Sequence, residues 1–196
     1  MTSSSDKKIE RGLEAMIIVY SLLQDHPASS DCEQFIRSHT GWLTTTFTLF
    51  EAKAILTKVY GVSTTLASQK LTQFVAGPII VTTVDSEAAL DAMDMADTLR
   101  IDLTDAVLLQ AAQAQGATHL VTDDVKLAHA CQQIGINPET PIDAALRQRM
   151  AVWEAANLPM KGLPRLLRQI HQWLNSTHPA AAQDFWSQTG GGSHLP

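Results

Sequence analysis

The strongest constraint on this chain is an alternation. Short apolar runs are each broken by a turn and followed by a helical pattern, and this repeats through the first 140 residues. Leu13–Tyr20 is nearly continuous apolar sequence with three β-branched residues in a row, which predicts a strand covered on both faces. Asp25-His-Pro27 predicts a helix running to about His39, with proline in its first turn. Gly41–Thr45 reads as a second strand, followed by a helix capped by Thr46 or Thr48 and ended by Gly61. Ser63–Val75 reads as a helix, Ile79–Thr82 as a strand, and Ser86–Leu99 and Thr104–Gln115 as helices. Thr118–Thr122 is a fourth strand and Val125–Gln133 a helix. Ile136-Asn137 opens a short fifth strand, closed by Pro138 and Pro141. Such alternation predicts an α/β fold, with a parallel sheet of four to five strands, right-handed crossovers and helices on both faces. Sites in these sheets gather beyond the carboxyl ends of the strands. After Pro141 only helices follow, over Ile142–Ala156, Leu163–Leu174 and Pro179–Trp186. The expected organisation is a flexible arm over 1–10, a domain over 11–145, a helical extension over 146–188 and a flexible tail over 189–196.

Composition narrows the partners. The 196 residues carry 14 Lys and Arg against 20 Asp and Glu, a net charge of −6. Residues 1–146 hold nine basic and eighteen acidic side chains, whereas 147–196 hold five basic and two acidic ones. A globally basic nucleic-acid binder is excluded, and a local basic patch near the C-terminus is not. Cys32 and Cys131 stand alone, so neither a disulfide framework nor a structural zinc site is expected. The N-terminus lacks the apolar core of a secretory signal, and the longest apolar run is too short to span a bilayer. A cytoplasmic protein with no membrane association is the expectation.

Carboxylates in apolar surroundings point to chemistry. Glu14 lies within the first apolar run, where an unpartnered carboxylate is costly. It either faces a partner or cleft, or precedes the buried part of the strand and is solvated. Glu51 shares a helical face with Phe47, Ala54 and Ile55, although Lys58 offers it an ordinary ion pair. Asp105 shares a face with Leu108, Leu109 and Ala112, although a first-turn Asp also favours the helix dipole. Asp123 and Asp124 follow the fourth strand directly. A cap needs one Asp, which leaves a second carboxylate. Four acids, Glu14, Glu51, Asp105 and Asp124, thus fall near one end of the sheet. Crowded like charges stay ionised only with a cation. Hard oxygen donors suit Mg2+ or Mn2+, and such an ion can activate water against a phosphodiester.

These segments resemble the PIN-domain family of nucleases, in particular its VapC-like ribonucleases. Leu13-Glu-Ala-Met-Ile-Ile-Val-Tyr20 is similar to the family's opening motif, with Glu14 at the acid's position. Thr44-Thr-Thr-Phe-Thr-Leu-Phe-Glu51 resembles the second motif, Leu103-Thr-Asp-Ala-Val-Leu-Leu-Gln110 the third and Leu120-Val-Thr-Asp-Asp124 the fourth. The resemblance implies a three-layer α/β/α fold and Mg2+- or Mn2+-dependent cleavage of RNA. It also implies Glu14, Glu51, Asp105 and Asp124 as catalytic residues. Of these Glu14, Asp105 and Asp124 would hold the metal, supported by Thr122 and Asp123. Many bacterial members are toxins paired with an antitoxin protein and are often homodimers. The chain departs from the family by having Glu14 in place of Asp and Ala15-Met16 in place of Thr-Asn. The site is thereby deprived of a hydroxyl and an amide.

Arg147, Arg149, Lys161, Arg165 and Arg168 cluster in sequence near Trp153 and Trp173. They could grip RNA, or form the solvated face of a packing helix. The seven histidines show no ligand spacing and read as surface or capping residues. Three functions follow: a metal-dependent ribonuclease, with the toxin of a toxin–antitoxin pair as one form of it; a PIN-like RNA-binding or protein-interaction module that cuts weakly or not at all; and a phosphate-accepting signalling domain. The last leaves Glu51 without a role.

Overall fold

A computed structural model describes the backbone of residues 8–158 and 165–188, and the side chains of 8–158 and 170–188. The chain divides into two compact units, Met1–Met150 and Ala151–Pro196. The expected tail, most of the expected arm and Lys161 lie outside the described residues.

The first unit is built on five parallel strands: β1 (Arg11–Leu13), β2 (Trp42–Thr45), β3 (Ile79–Thr82), β4 (His119–Val121) and β5 (Asn137–Glu139). Their order is β3-β2-β1-β4-β5. Alternate strand residues face opposite ways and nucleate two cores. Leu13, Trp42 and Val121 pack on one face with α1 (Ala15–Leu22), α2 (Ser29–Ser38), α3 (Thr46–Lys58) and α4 (Thr64–Val75). Leu43 and Leu120 pack on the other with α6 (Leu103–Ala114) and α7 (Val125–Gln133). Helix α5 (Ser86–Leu99) adds a small cluster of Ala92 with Ala106 and Val107 of α6. This is the expected three-layer α/β/α arrangement.

Two glycines set close approaches. Gly12 lies beneath α6, where an added Cβ would stand 3.3 Å from the Ala112 Cβ. Gly41 has φ of +73°, and its carbonyl accepts from the N–H groups of Glu10 and Arg11. A Cβ there would lie 2.7 Å from the Lys8 carbonyl oxygen. Only glycine fits that conformation and that gap.

The largest difference from expectation is at Leu13–Tyr20. The strand ends at Leu13 and the rest of the run is helix α1. Ala15, Ile17, Ile18, Val19 and Tyr20 are all buried, so the helix is apolar all round, and its β-branched residues give no period to separate it from a strand. Burial outweighs the strand preference of Ile and Val. Asp25–Ala28 forms a turn, and α2 begins only at Ser29. His26 in that turn is buried and stacked on Tyr20, not on the surface. Pro138 sits in the middle of β5 instead of ending it. Asn137 and Glu139 bond to β4 on either side of it, so Pro138 faces the outer edge, where its missing N–H breaks no ladder.

The cap of α3 is Thr45, not Thr46 or Thr48. Its Oγ1 accepts from the Thr48 N–H at 3.0 Å and lies 2.8 Å from the Thr48 hydroxyl. Both threonines are buried. Thr45→Ala leaves these groups unpaired and is expected to lower stability by about 1–2 kcal/mol, read from urea denaturation.

Helix α8 (Ala144–Asn157) begins in the first unit, where Leu146 and Met150 join the core. In the second unit, α9 (Arg165–Thr177) and α10 (Pro179–Gln188) pack together, with the His171 and Trp186 rings 5.5 Å apart. Among the described residues no helix is long and apolar enough to cross a membrane.

Candidate functional site

Glu14 is the hinge residue between β1 and α1. Its backbone is extended, and its side chain caps the helix, with Oε1 accepting the Met16 N–H at 2.8 Å. The residue is only 8% exposed, and the other carboxylate oxygen, Oε2, is buried without a hydrogen-bond partner. Leaving such an oxygen unsatisfied is expensive, which marks the position as one held for something besides stability. Burial pushes the Glu14 carboxyl up to about 8. The Met16 N–H pulls it down, and the charges of Asp105, Glu51 and Asp124 raise it further.

Glu51 and Asp124 arrive on helices that follow β2 and β4, and Asp105 on α6, which follows α5. Glu51 lies in the second turn of α3, half-buried and bonded to Thr104. Its carboxyl is also raised by burial, with Asp102 adding to the effect. Asp105 lies in the first turn of α6. Burial pushes it up to about 7, and Glu51, Asp124 and Asp102 raise it further. Asp124 caps α7, its Oδ1 accepting from the N–H groups of Lys126 and Leu127 at 2.6 and 2.9 Å. Thr122 is buried, and its hydroxyl accepts the Asp124 N–H at 2.9 Å, holding the turn after β4. The neighbouring strand is tied in by Thr44, whose hydroxyl donates to the Leu13 carbonyl at 3.0 Å. Glu14 and Asp105 therefore sense the charges of Glu51 and Asp124, with the acids set at the carboxyl ends of β1, β2 and β4 and at the start of α6.

Asp123 takes a different part. It forms a two-pronged ion pair with Arg147 in the first turn of α8. Arg147 thereby fastens α8 to the turn that carries Asp124. Arg149 is exposed, and the side chains of Arg165 and Arg168, like Lys161, lie outside the described residues. Sequence reasoning did not identify Thr104, nor the Asp123–Arg147 pair. The Thr104 hydroxyl immediately precedes Asp105 in the third motif and could have been found there. The pair joins residues 24 apart, with no sequence pattern linking them.

The donor set suits a hard dication: carboxylates only, one with a buried free oxygen. Among the described residues no three acidic, histidine or cysteine side chains stand close enough to hold a metal ion as placed. The chemistry of the donors fits Mg2+ or Mn2+, while full convergence would require the carboxylates to turn inward.

A family model described as the PIN domain matches residues 13–132, more than half of the chain. The chain belongs to the PIN-domain family. Solved structures share this PIN fold. VapC20 of Mycobacterium tuberculosis, described as a toxin that cleaves the sarcin–ricin loop, is 12% identical, with a TM-score of 0.55 over 62% of this chain and 95% of that one. A Pyrobaculum aerophilum protein, PAE2754, is 20% identical, with a TM-score of 0.51 over 74% of this chain and 97% of that one. A toxin–antitoxin complex from Klebsiella pneumoniae is 14% identical, with a TM-score of 0.51 over 68% of this chain and 99% of that one. No curated protein matches this PIN-domain chain in sequence.

Proposed function

We propose that this PIN domain is an Mg2+- or Mn2+-dependent endoribonuclease whose reaction takes place at Glu14, Glu51, Asp105 and Asp124. The observation that carries the reading is the buried, unpartnered Oε2 of Glu14 among three other carboxylates. Glu14, Asp105 and Asp124 would hold the ion. When bound, it would lower the pKa of a water and screen the negative phosphodiester. The protein's own part is to place the carboxylates. Thr104 orients Glu51, Thr122 holds the Asp124 turn, and Asp123 with Arg147 fixes that turn against α8. Arg149, Lys161, Arg165 and Arg168 would contact RNA phosphates, and Arg147 would add to them with whatever charge its pairing with Asp123 leaves.

The likeness to a cleaving toxin and to a toxin–antitoxin complex supports a toxin role, with an antitoxin protein as partner. We further propose a cytoplasmic homodimer. A second reading is favoured by the use of Asp124 Oδ1 as a helix cap and by Ala15-Met16 beside Glu14. In it the chain is a PIN-like RNA-binding or protein-interaction module with weak or no cleavage. One experiment separates the two. Mixed RNA is incubated with the purified protein in Mn2+ or Mg2+, in EDTA, and with Asp105→Asn as control. Cleavage that needs metal and is lost in the variant is the expected result. Equal RNA profiles for both proteins in both metals would remove the nuclease reading.

A further inference from the structure

We propose that Phe47 and Phe50 form a stacking platform for an unpaired base beside the scissile phosphodiester. The proposal rests on the nuclease reading and adds which residues choose the form of nucleic acid, namely one whose bases are free to stack. Ten large apolar side chains are exposed among the described residues. Four of them stand within four residues of one of the four acids in sequence: Phe47 and Phe50 before Glu51, Leu103 before Asp105, and Val125 after Asp124. Their exposures of 46, 69, 47 and 77% leave about half or more of each available to solvent. Scattered single apolar residues need no explanation, but two exposed aromatics on the helix that carries one of the acids do.

Helix α3 shows that the two phenylalanines do not serve the fold. Its Thr48, Ala52 and Leu56 are buried, and Leu49 and Ile55 pack against the core. Phe47 and Phe50 lie on the opposite side and belong to no core cluster. Phe47 is four residues before Glu51, which sets their Cβ atoms roughly 5–6 Å apart on one face. Glu51 bonds to Thr104, the neighbour of both Leu103 and Asp105. Phe47 thus lies beside Glu51, and Phe50, three residues after Phe47, continues the aromatic surface on the same helix. In a nucleotide, base and phosphate are adjacent, so a phosphate held at the acids brings a base to this surface. The charge balance favours the same occupant. A chain of net charge −6 has few basic side chains to hold phosphate, so a contact that salt does not screen adds usefully to theirs. Base–aromatic stacking is such a contact.

The test uses a labelled, unstructured RNA and the full chain, with cleavage kinetics in Mn2+ and binding followed by anisotropy. Phe47→Ala and Phe50→Ala are each expected to raise KM by about 10-fold, with kcat within about 2-fold. Phe47→Trp is expected to restore KM, and Leu90→Ala, an exposed apolar residue on α5, to change nothing. The salt dependence of binding should stay that of the wild type, since no phosphate contact is lost. An RNA lacking the base next to the cleaved bond should lose the same factor with the wild type and nothing more with Phe47→Ala. If the wild type cleaves and the alanine variants match it in KM, the platform is overturned while the nuclease reading stands. If nothing is cleaved but binding still weakens on Phe47→Ala, the platform stands and the nuclease reading falls. Unchanged or absent RNA binding together with a lower oligomeric state of Phe47→Ala would overturn it in favour of a protein interface.

Discussion

Glu14→Gln is expected to stabilise the metal-free protein at alkaline pH while removing its cleavage activity. In the folded chain burial holds the Glu14 carboxyl protonated until about 8, against 4.5 for an ordinary glutamate. A carboxyl raised on folding contributes stability that is complete below its unfolded pKa and lost as pH climbs through its folded one. The wild type should therefore weaken between about pH 5 and pH 8. The loss is on the order of 4 kcal/mol from this group alone. Asp105, raised from 3.8 to about 7, acts in the same direction. Glutamine keeps the shape, still accepts the Met16 N–H and never ionises. Urea midpoints of the two proteins should agree at pH 5 and separate by pH 8.5, with the variant the more stable. Mg2+ should raise the wild-type midpoint far more than that of the variant. Cleavage should fall by at least the roughly 100-fold that losing even an outer-shell partner costs a metal site. A variant with the wild type's pH profile would mean that Glu14 is solvated.

Gly12→Val is expected to damage catalysis more than folding. Gly12 lies one residue inside β1 from Leu13 and Glu14, and α6, which carries Thr104 and Asp105, rests on it. The new side chain would meet Ala112 at 3.3 Å and Leu120 at 3.4 Å, forcing α6 away from the sheet. Overpacking of this kind costs about 1–3 kcal/mol. The displacement would carry Asp105 away from Glu14, and a shift of about 1 Å in a positioned group can cost about 100-fold in rate. Chemical denaturation and single-turnover cleavage on the same samples check both figures. Full cleavage by a destabilised variant would show that the spacing between β1 and α6 does not limit the reaction.

The α/β fold was legible because its signals are local. Gly77-Pro78, Gly116 and Gly135 end helices, and Ile79–Thr82 is short, β-branched and bounded by turns. The run after Leu13 was not legible as helix, because α1 is covered on every side and gives no period to read. That error shifted Glu14 from the strand's interior to its end, yet the acid stood out either way, because carboxylates in apolar sequence are rare. The four acids could be gathered at one end of the sheet from their places after strands and at helix starts. What each does beyond that depends on distant partners. Arg147 reads from sequence as a phosphate contact, and only the fold reveals its ion pair with Asp123; Oε2 of Glu14 is left alone by packing that no spacing rule describes.

The two borders of the sheet are unequal. On β5 the residue facing outward is Pro138, which has no N–H to offer another strand. On β3, the opposite border, Ile79–Thr82 carries no proline. A head-to-tail array of copies would need both borders, and one of them is blunted. Among the described strands, addition between molecules would then favour β3 against β3, a twofold contact that closes after two chains. The proline that interrupts the last strand thus leaves that border without the N–H a further strand would need.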